Sequence, residues 1–150
     1  MVKILFVCHG NICRSPMAEF IMKRLASVYG CEDKVEVASV AVSNEETGND
    51  IYPPAKRILL EHNIPFDRRR ARRITLEDYR YYDYIVCMDR SNVRFLKYIL
   101  GEDTLSKVTL LMSWTGTERD VADPWYTDDF ETAYADIFQG CQAMLKRVML

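Results

Sequence analysis

Ile4-Leu5-Phe6-Val7 is an unbroken apolar run that ends at Cys8. So short a run, with no polar alternation, predicts a strand covered on both faces. Beyond it the period changes. Met17, Phe20, Ile21, Leu25 and Val28 recur at helical spacing and predict an amphipathic helix over 16–29, ending near Gly30. Val35 and Val37 alternate with charged residues, as in a second strand over 35–40. Residues 43–54 (SNEETGNDIYPP) are turn-rich, and Pro54 opens a helix to about His62 with Ile58 and Leu59 inward. Tyr84 to Met88 (YIVCM) is a second fully apolar run, predicted as a central strand. Asp89 or Ser91 caps the helix that follows, which carries Val93, Leu96, Ile99 and Leu100 inward. Val108 to Met112 predicts the fourth strand and 113–127 a loop. A last helix from about Asp128 buries Phe130, Tyr134, Ile137, Phe138, Cys141 and Leu145. Strands alternating with helices pair in parallel through right-handed crossovers. The expected class is α/β, a four-stranded parallel sheet flanked by helices on both faces.

Composition removes several alternatives. A chain of 150 residues, 49% hydrophobic and 28% charged, suits one compact domain over 1–150 with a sizeable core. A net charge of −2 offers no whole-molecule attraction to nucleic acid or to an anionic membrane. The run RRRARR at 68–73 has no second basic cluster beside it and reads as solvated surface. No segment has the length of a membrane span, and ILFV is too short for a signal-peptide core. The cysteines (8, 13, 31, 87 and 141) are odd in number and irregular in spacing, which favours a reducing, cytoplasmic setting.

Chemistry concentrates in residues 8–16, CHGNICRSP, between the first strand and the first helix. Ser15 is a fitting N-cap and Pro16 a fitting first helical residue. Backbone N–H groups of His9, Gly10, Asn11, Ile12, Cys13, Arg14 and Ser15 can converge beside a helix N-terminus, a natural phosphate-binding loop after strand 1. Gly10 admits close backbone approach, and Asn11 tolerates left-handed angles. Arg14 adds a planar fork matched to two phosphate oxygens, and its charge opposes the helix dipole, so an anion is expected beside it. Cys8 beneath this cradle is a candidate nucleophile, because a thiol among such donors ionises readily. Ser15 can also give its hydroxyl to the Cys8 sulfur. Cys8, His9 and Cys13 lack the fourth ligand and the spacing of a zinc site, so neither metal nor other cofactor is expected.

Cys-x5-Arg-Ser after a strand is the signature of cysteine-dependent phosphatases. The fuller wording VCHGNICRSPMAE, close to residue 1, resembles the low-molecular-weight protein tyrosine phosphatase family. The likeness extends over nearly the whole chain, since ADPWY at 122–126 falls where that family keeps its general acid. It implies hydrolysis of phosphotyrosine proteins or peptides without a metal. Cys8 would be the nucleophile, Arg14 the phosphate clamp and Asp123 the acid, with inorganic phosphate as product. It also implies that Cys13 pairs with Cys8 under oxidation, and that Trp125 and Tyr126 wall the substrate site. Where the family often places an aromatic opposite them, this chain aligns Glu45, and Arg69 stands near the position of a family histidine.

Three other functions fit parts of the pattern. Arginine phosphatases on the same fold tend to carry threonine where this chain has Ile12. Arsenate reductases relay electrons through further cysteines, whereas Cys87 has no cysteine shortly after it. A phosphate-reading binding module would have no need of Asp123.

Overall fold

The computed structural model describes residues 1–149. Its sheet has four strands, β1 (Val2–Cys8), β2 (Val35–Ala41), β3 (Tyr84–Cys87) and β4 (Val108–Leu110). They lie in the order β2-β1-β3-β4, and every pairing is parallel. The helices are α1 (Arg14–Val28), α2 (Pro53–Glu61), α3 (Leu76–Tyr81), α4 (Arg90–Leu100), α5 (Pro124–Thr127) and α6 (Phe130–Met149). The predicted class is the observed one.

Alternation along β1 divides the core. Ile4, Phe6 and Cys8 face α1, α2 and α6, while Leu5 and Val7 face Tyr79 and Tyr82 near α3 and Leu96 of α4. From Ile4 onward β1 is buried on both faces, which explains its unbroken apolar run. The chain leaves β1 toward β2 on one side and later crosses back to β3 on the other. That reversal opens a crevice at the carboxyl ends of β1 and β3, the general ligand position in open α/β sheets. Cys8 ends β1 at this crevice, and Asp89 follows β3.

Three elements depart from the sequence reading. The short helix α3 has no counterpart in the sequence reading; Tyr79, Arg80 and Tyr81 form its second half, and Tyr84 opens β3. Thr75 Oγ1 accepts the Asp78 N–H at 3.2 Å, and the Asp78 carboxylate accepts the Thr75 N–H at 2.8 Å, a reciprocal cap that starts this short helix. β4 ends at Leu110, and Leu111–Thr115 turn into a 3₁₀ segment. Within the expected loop 113–127, Pro124 opens the one-turn helix α5.

The 3₁₀ segment packs tightly on α6. A Cβ at Gly140 would lie 2.6 Å from Leu111 Cγ, and Leu111 is fully buried. Gly140→Ala gains about 1 kcal/mol of helix propensity. Overpacking a core costs about 1–3 kcal/mol, and a clash with a mid-chain carbon lies at the upper end. The expected result is a net loss, read as a Tm lower by about 2–4 °C per kcal/mol in thermal unfolding. A raised Tm would show that Leu111 moves aside freely.

Candidate active site

α1 begins at Arg14, with Cys13 in the N-cap place and no side-chain cap. Ser15 is therefore not the cap expected from the sequence. It is the second helical residue, and its hydroxyl turns inward, 3.0 Å from Cys8 Sγ. Pro16 still fits, because no N–H in a first helical turn has an intrahelical partner.

Asn11 explains the direction of that contact. Its backbone is left-handed (φ 59°) and its side chain fully buried. Its Nδ2 donates to Ser15 Oγ at 2.8 Å and to Ser39 Oγ at 3.0 Å, while Ser39 donates to Glu19 at 2.7 Å. Both amide protons are thus committed, and Ser15 receives one of them. The Ser15 proton is then free for the sulfur at 3.0 Å or the Val40 carbonyl at 3.4 Å, and the sulfur is nearer. The Asn11 N–H is a second donor to Cys8 Sγ, at 3.3 Å. Two donors converge on one buried sulfur.

Arg14 is 2% exposed, and its neighbours dictate what it has left to give. Nη1 donates to Asp89 at 2.7 Å and to the Val121 carbonyl at 2.8 Å, which uses both of its protons. Nη2 reaches Asp123 at 3.4 Å. Nε–H and one Nη2–H remain, sufficient to grip two oxygens of a phosphate. Burial alone lowers the pKa of a guanidinium. Here the negative charge of Cys8, Asp123 and Asp89 outweighs it and holds Arg14 above its ordinary value.

Asp123 is the N-cap of α5, where Oδ1 accepts the Trp125 N–H at 3.0 Å and Oδ2 faces Arg14. Pro124 is buried and fixes the turn. Trp125 leans on Tyr52 (ring centroids 5.0 Å apart), yet it is 53% exposed, and Tyr126 is 85% exposed. Cys8, His9, Gly10, Ile12, Cys13, Arg14 and Asp123 line a single cleft, to which Trp125 and Tyr126 of α5 and Glu45 and Glu46 of the loop after β2 add further walls. Asn11 and Ser15 do not line it, being enclosed behind the loop. Gly10 lies so close to the second wall that a Cβ there would meet Glu46 Cγ at 3.3 Å.

Residues 3–149 match the family described as Low molecular weight phosphotyrosine protein phosphatase. The chain belongs to it. A low molecular weight protein-tyrosine-phosphatase of Bacillus subtilis is 36% identical over 150 residues, covering 99% of this chain and 96% of the relative. A Streptococcus pyogenes low molecular weight protein tyrosine phosphatase superposes with a TM-score of 0.90 at 42% identity, covering 100% of this chain and 95% of that one. A Drosophila arginine phosphatase superposes equally well, TM-score 0.90 at 30% identity, with 99% of each chain covered.

The basic run is only partly solvated surface. Arg68, Arg70, Arg72 and Arg73 are exposed, whereas Arg69 is half-buried, turns in and donates to the Asn11 carbonyl and, at 3.2 Å, to the Asn49 carbonyl. Arg69 so braces the loop between β1 and α1. Arg72 grips Asp78 through both terminal nitrogens at 2.7 and 2.9 Å, and its N–H reaches Asn11 Oδ1 at 3.3 Å. Cys87 and Cys141 are fully buried, and burial pushes both thiols well above the ordinary range. Among the described residues no three His, Cys, Asp or Glu side chains gather as a metal site would require. No described helix is long and apolar enough to cross a membrane.

Asp89, which follows an apolar strand, was expected at the same edge of the sheet as the cysteine loop and the Asp123 loop, and it lies there on Arg14. Sequence reasoning left the Val121 carbonyl, Ser39, Glu19 and Glu46 out of the site. They contribute through contacts set by the tertiary fold.

Proposed function

We propose that this phosphatase hydrolyses phosphotyrosine monoesters of proteins or peptides through a cysteinyl-phosphate intermediate. The observation that carries the reading is the gathering of Cys8, Arg14 and Asp123 in one cleft. Arg14 and the loop N–H groups bind the phosphoryl oxygens, and the Cys8 thiolate attacks phosphorus in line. The bond to the tyrosyl oxygen breaks, and that oxygen takes the proton of Asp123. Asp123, now a carboxylate, removes a proton from water as the water attacks phosphorus, and Cys8 leaves as thiolate with inorganic phosphate released. The positive field comes from Arg14 and backbone dipoles, so the scheme calls on no metal. Phosphorylated proteins of the cytoplasm would supply the substrates.

Phosphotyrosine is favoured over phosphoarginine by Ile12, an apolar side chain at the cleft, and by the exposed rings of Trp125 and Tyr126. Hydrolysis of p-nitrophenyl phosphate in the presence of a chelator tests the phosphatase reading. A comparison of phosphotyrosine and phosphoarginine peptides tests the choice of substrate. Faster release of phosphate from phosphoarginine would overturn that choice.

Cys13 shares the cleft, and burial first, then the charge of Cys8, keep its thiol protonated. Oxidation of Cys8 to the sulfenic acid removes that charge. Cys13 then attacks the Cys8 sulfur while its proton passes to the departing oxygen, which leaves as water, and the disulfide formed is one that thiols reduce. Peroxide should therefore inactivate the enzyme reversibly, with a Cys8–Cys13 linkage in mass spectra. Inactivation that thiols cannot reverse, with no such linkage, would contradict the pairing.

A further inference from the structure

The part of the cleft lined by Glu45 and Glu46 differs in chemistry from that lined by Trp125 and Tyr126. Glu45 extends from the loop after β2 with its side chain 69% exposed, and its carboxylate lies 3.1 Å from His9 Nε2. An imidazole N–H donating there occupies one oxygen of Glu45 and leaves the second free. His9 in turn meets the Phe95 ring of α4 edge-on, at 5.5 Å and 74°, and Phe95 is 43% exposed. Glu46 lines the same wall, its carboxylate held by the Asn49 amide at 2.6 Å. Among the described residues neither glutamate has a lysine or arginine within ion-pair distance. Three separate segments thus build one rim, with carboxylates that have no lysine or arginine partner beside an open aromatic ring.

We infer that Glu45, His9 and Phe95 form a subsite for a cationic side chain, an arginine or lysine flanking the phosphotyrosine of the substrate. The inference rests on the phosphotyrosine reading above and narrows it to basic-flanked sequences. The carboxylate of Glu45 takes the cationic head, and the Phe95 ring receives the aliphatic stem or the guanidinium plane. An acidic flank would meet Glu45 and Glu46 as like charges, so discrimination comes from repulsion as well as attraction.

Three phosphotyrosine peptides that differ only in the residues on either side, arginine, alanine or glutamate, provide the test. The wild-type kcat/KM should favour arginine over glutamate by about 10-fold at low salt, a sum of modest attraction and repulsion at an exposed site. Added salt should narrow the ratio. Glu45→Gln should reduce it to about 3-fold or less, and Glu45→Lys should invert it, on the same scale of exposed charge effects. Because the ratio is taken within one enzyme, a general loss of activity cancels. A wild-type ratio near unity with p-nitrophenyl phosphate still hydrolysed would overturn the subsite alone, as would a ratio unchanged in Glu45→Gln. A wild-type protein inert toward all three peptides and p-nitrophenyl phosphate would remove the underlying reading with it.

Discussion

Cys8→Ser is expected to lower kcat by about 10⁴-fold or more, the scale on which enzymes lose a nucleophile, while binding of phosphate or vanadate persists. The groups around the sulfur explain both halves. Its hydrogen-bond partners are the Asn11 N–H and the Ser15 hydroxyl, and neither is a base able to take a proton from an alcohol. With no base in reach the nucleophile must lose its proton without one, and a thiol is a far stronger acid than a serine hydroxyl. The anion cradle is untouched by the substitution. Arg14 keeps Asp89 and Val121 as its anchors, and its free donors stay in place. Losing a negative sulfur beneath the phosphate also relieves repulsion, so affinity for the dianion should hold or rise. Steady-state kinetics with isothermal titration calorimetry of phosphate separate these effects. Turnover surviving in the serine variant would assign the chemistry to another group.

Asp123→Ala is expected to show a loss that depends on the leaving group. General acid catalysis is worth about 10²–10⁴-fold where the departing oxygen is a poor leaving group, and much less where the oxyanion is already stable. The penalty should approach the upper figure for phosphotyrosine peptides and shrink for p-nitrophenyl phosphate. Asp123 also caps α5 and touches Arg14, so alanine removes structure together with the proton. Asp123→Asn separates the two, since its amide oxygen can still accept the Trp125 N–H but the side chain has no acidic proton to give. Equal losses in both variants, graded by leaving-group acidity in a series of aryl phosphates, are expected. A uniform loss across the series, or an asparagine variant near wild type, would take Asp123 out of the acid role.

How much of this was legible beforehand depends on the range of the interaction involved. The strand-loop-helix around CHGNICRSP is local, and there hydrophobic period, turn residues and a helix start all agree. The same holds for β3 and α4, where Asp89 accepts the Asn92 N–H at 2.8 Å and caps the helix as anticipated. The misreadings arose where tertiary contacts outweigh local propensity. Ser15 is a good N-cap by residue type, yet the fold places Asn11 and Cys8 within reach of its hydroxyl and Cys13 at the cap. The six-residue α3 is too short to show a helical period. Its signal was the Thr75–Asp78 spacing of a reciprocal cap, masked by β-favouring tyrosines whose rings pack inward at Tyr79 and Tyr82. Asp89 and Arg14 are 75 residues apart, and no local pattern announces such a pair. Arg69 and Arg72 belong to a run that resembles any solvated basic stretch until the loop around Asn11 folds against it.

The most direct measurement is rapid-quench mass spectrometry of the enzyme during turnover of p-nitrophenyl phosphate, mapping any covalent phosphoryl group to a peptide. The expected result is one phosphoryl group on the Cys8 sulfur, formed and lost at rates compatible with kcat. A phosphoryl group on any other side chain, or full turnover with Cys8 never modified, would contradict the assignment of Cys8 as the attacking atom.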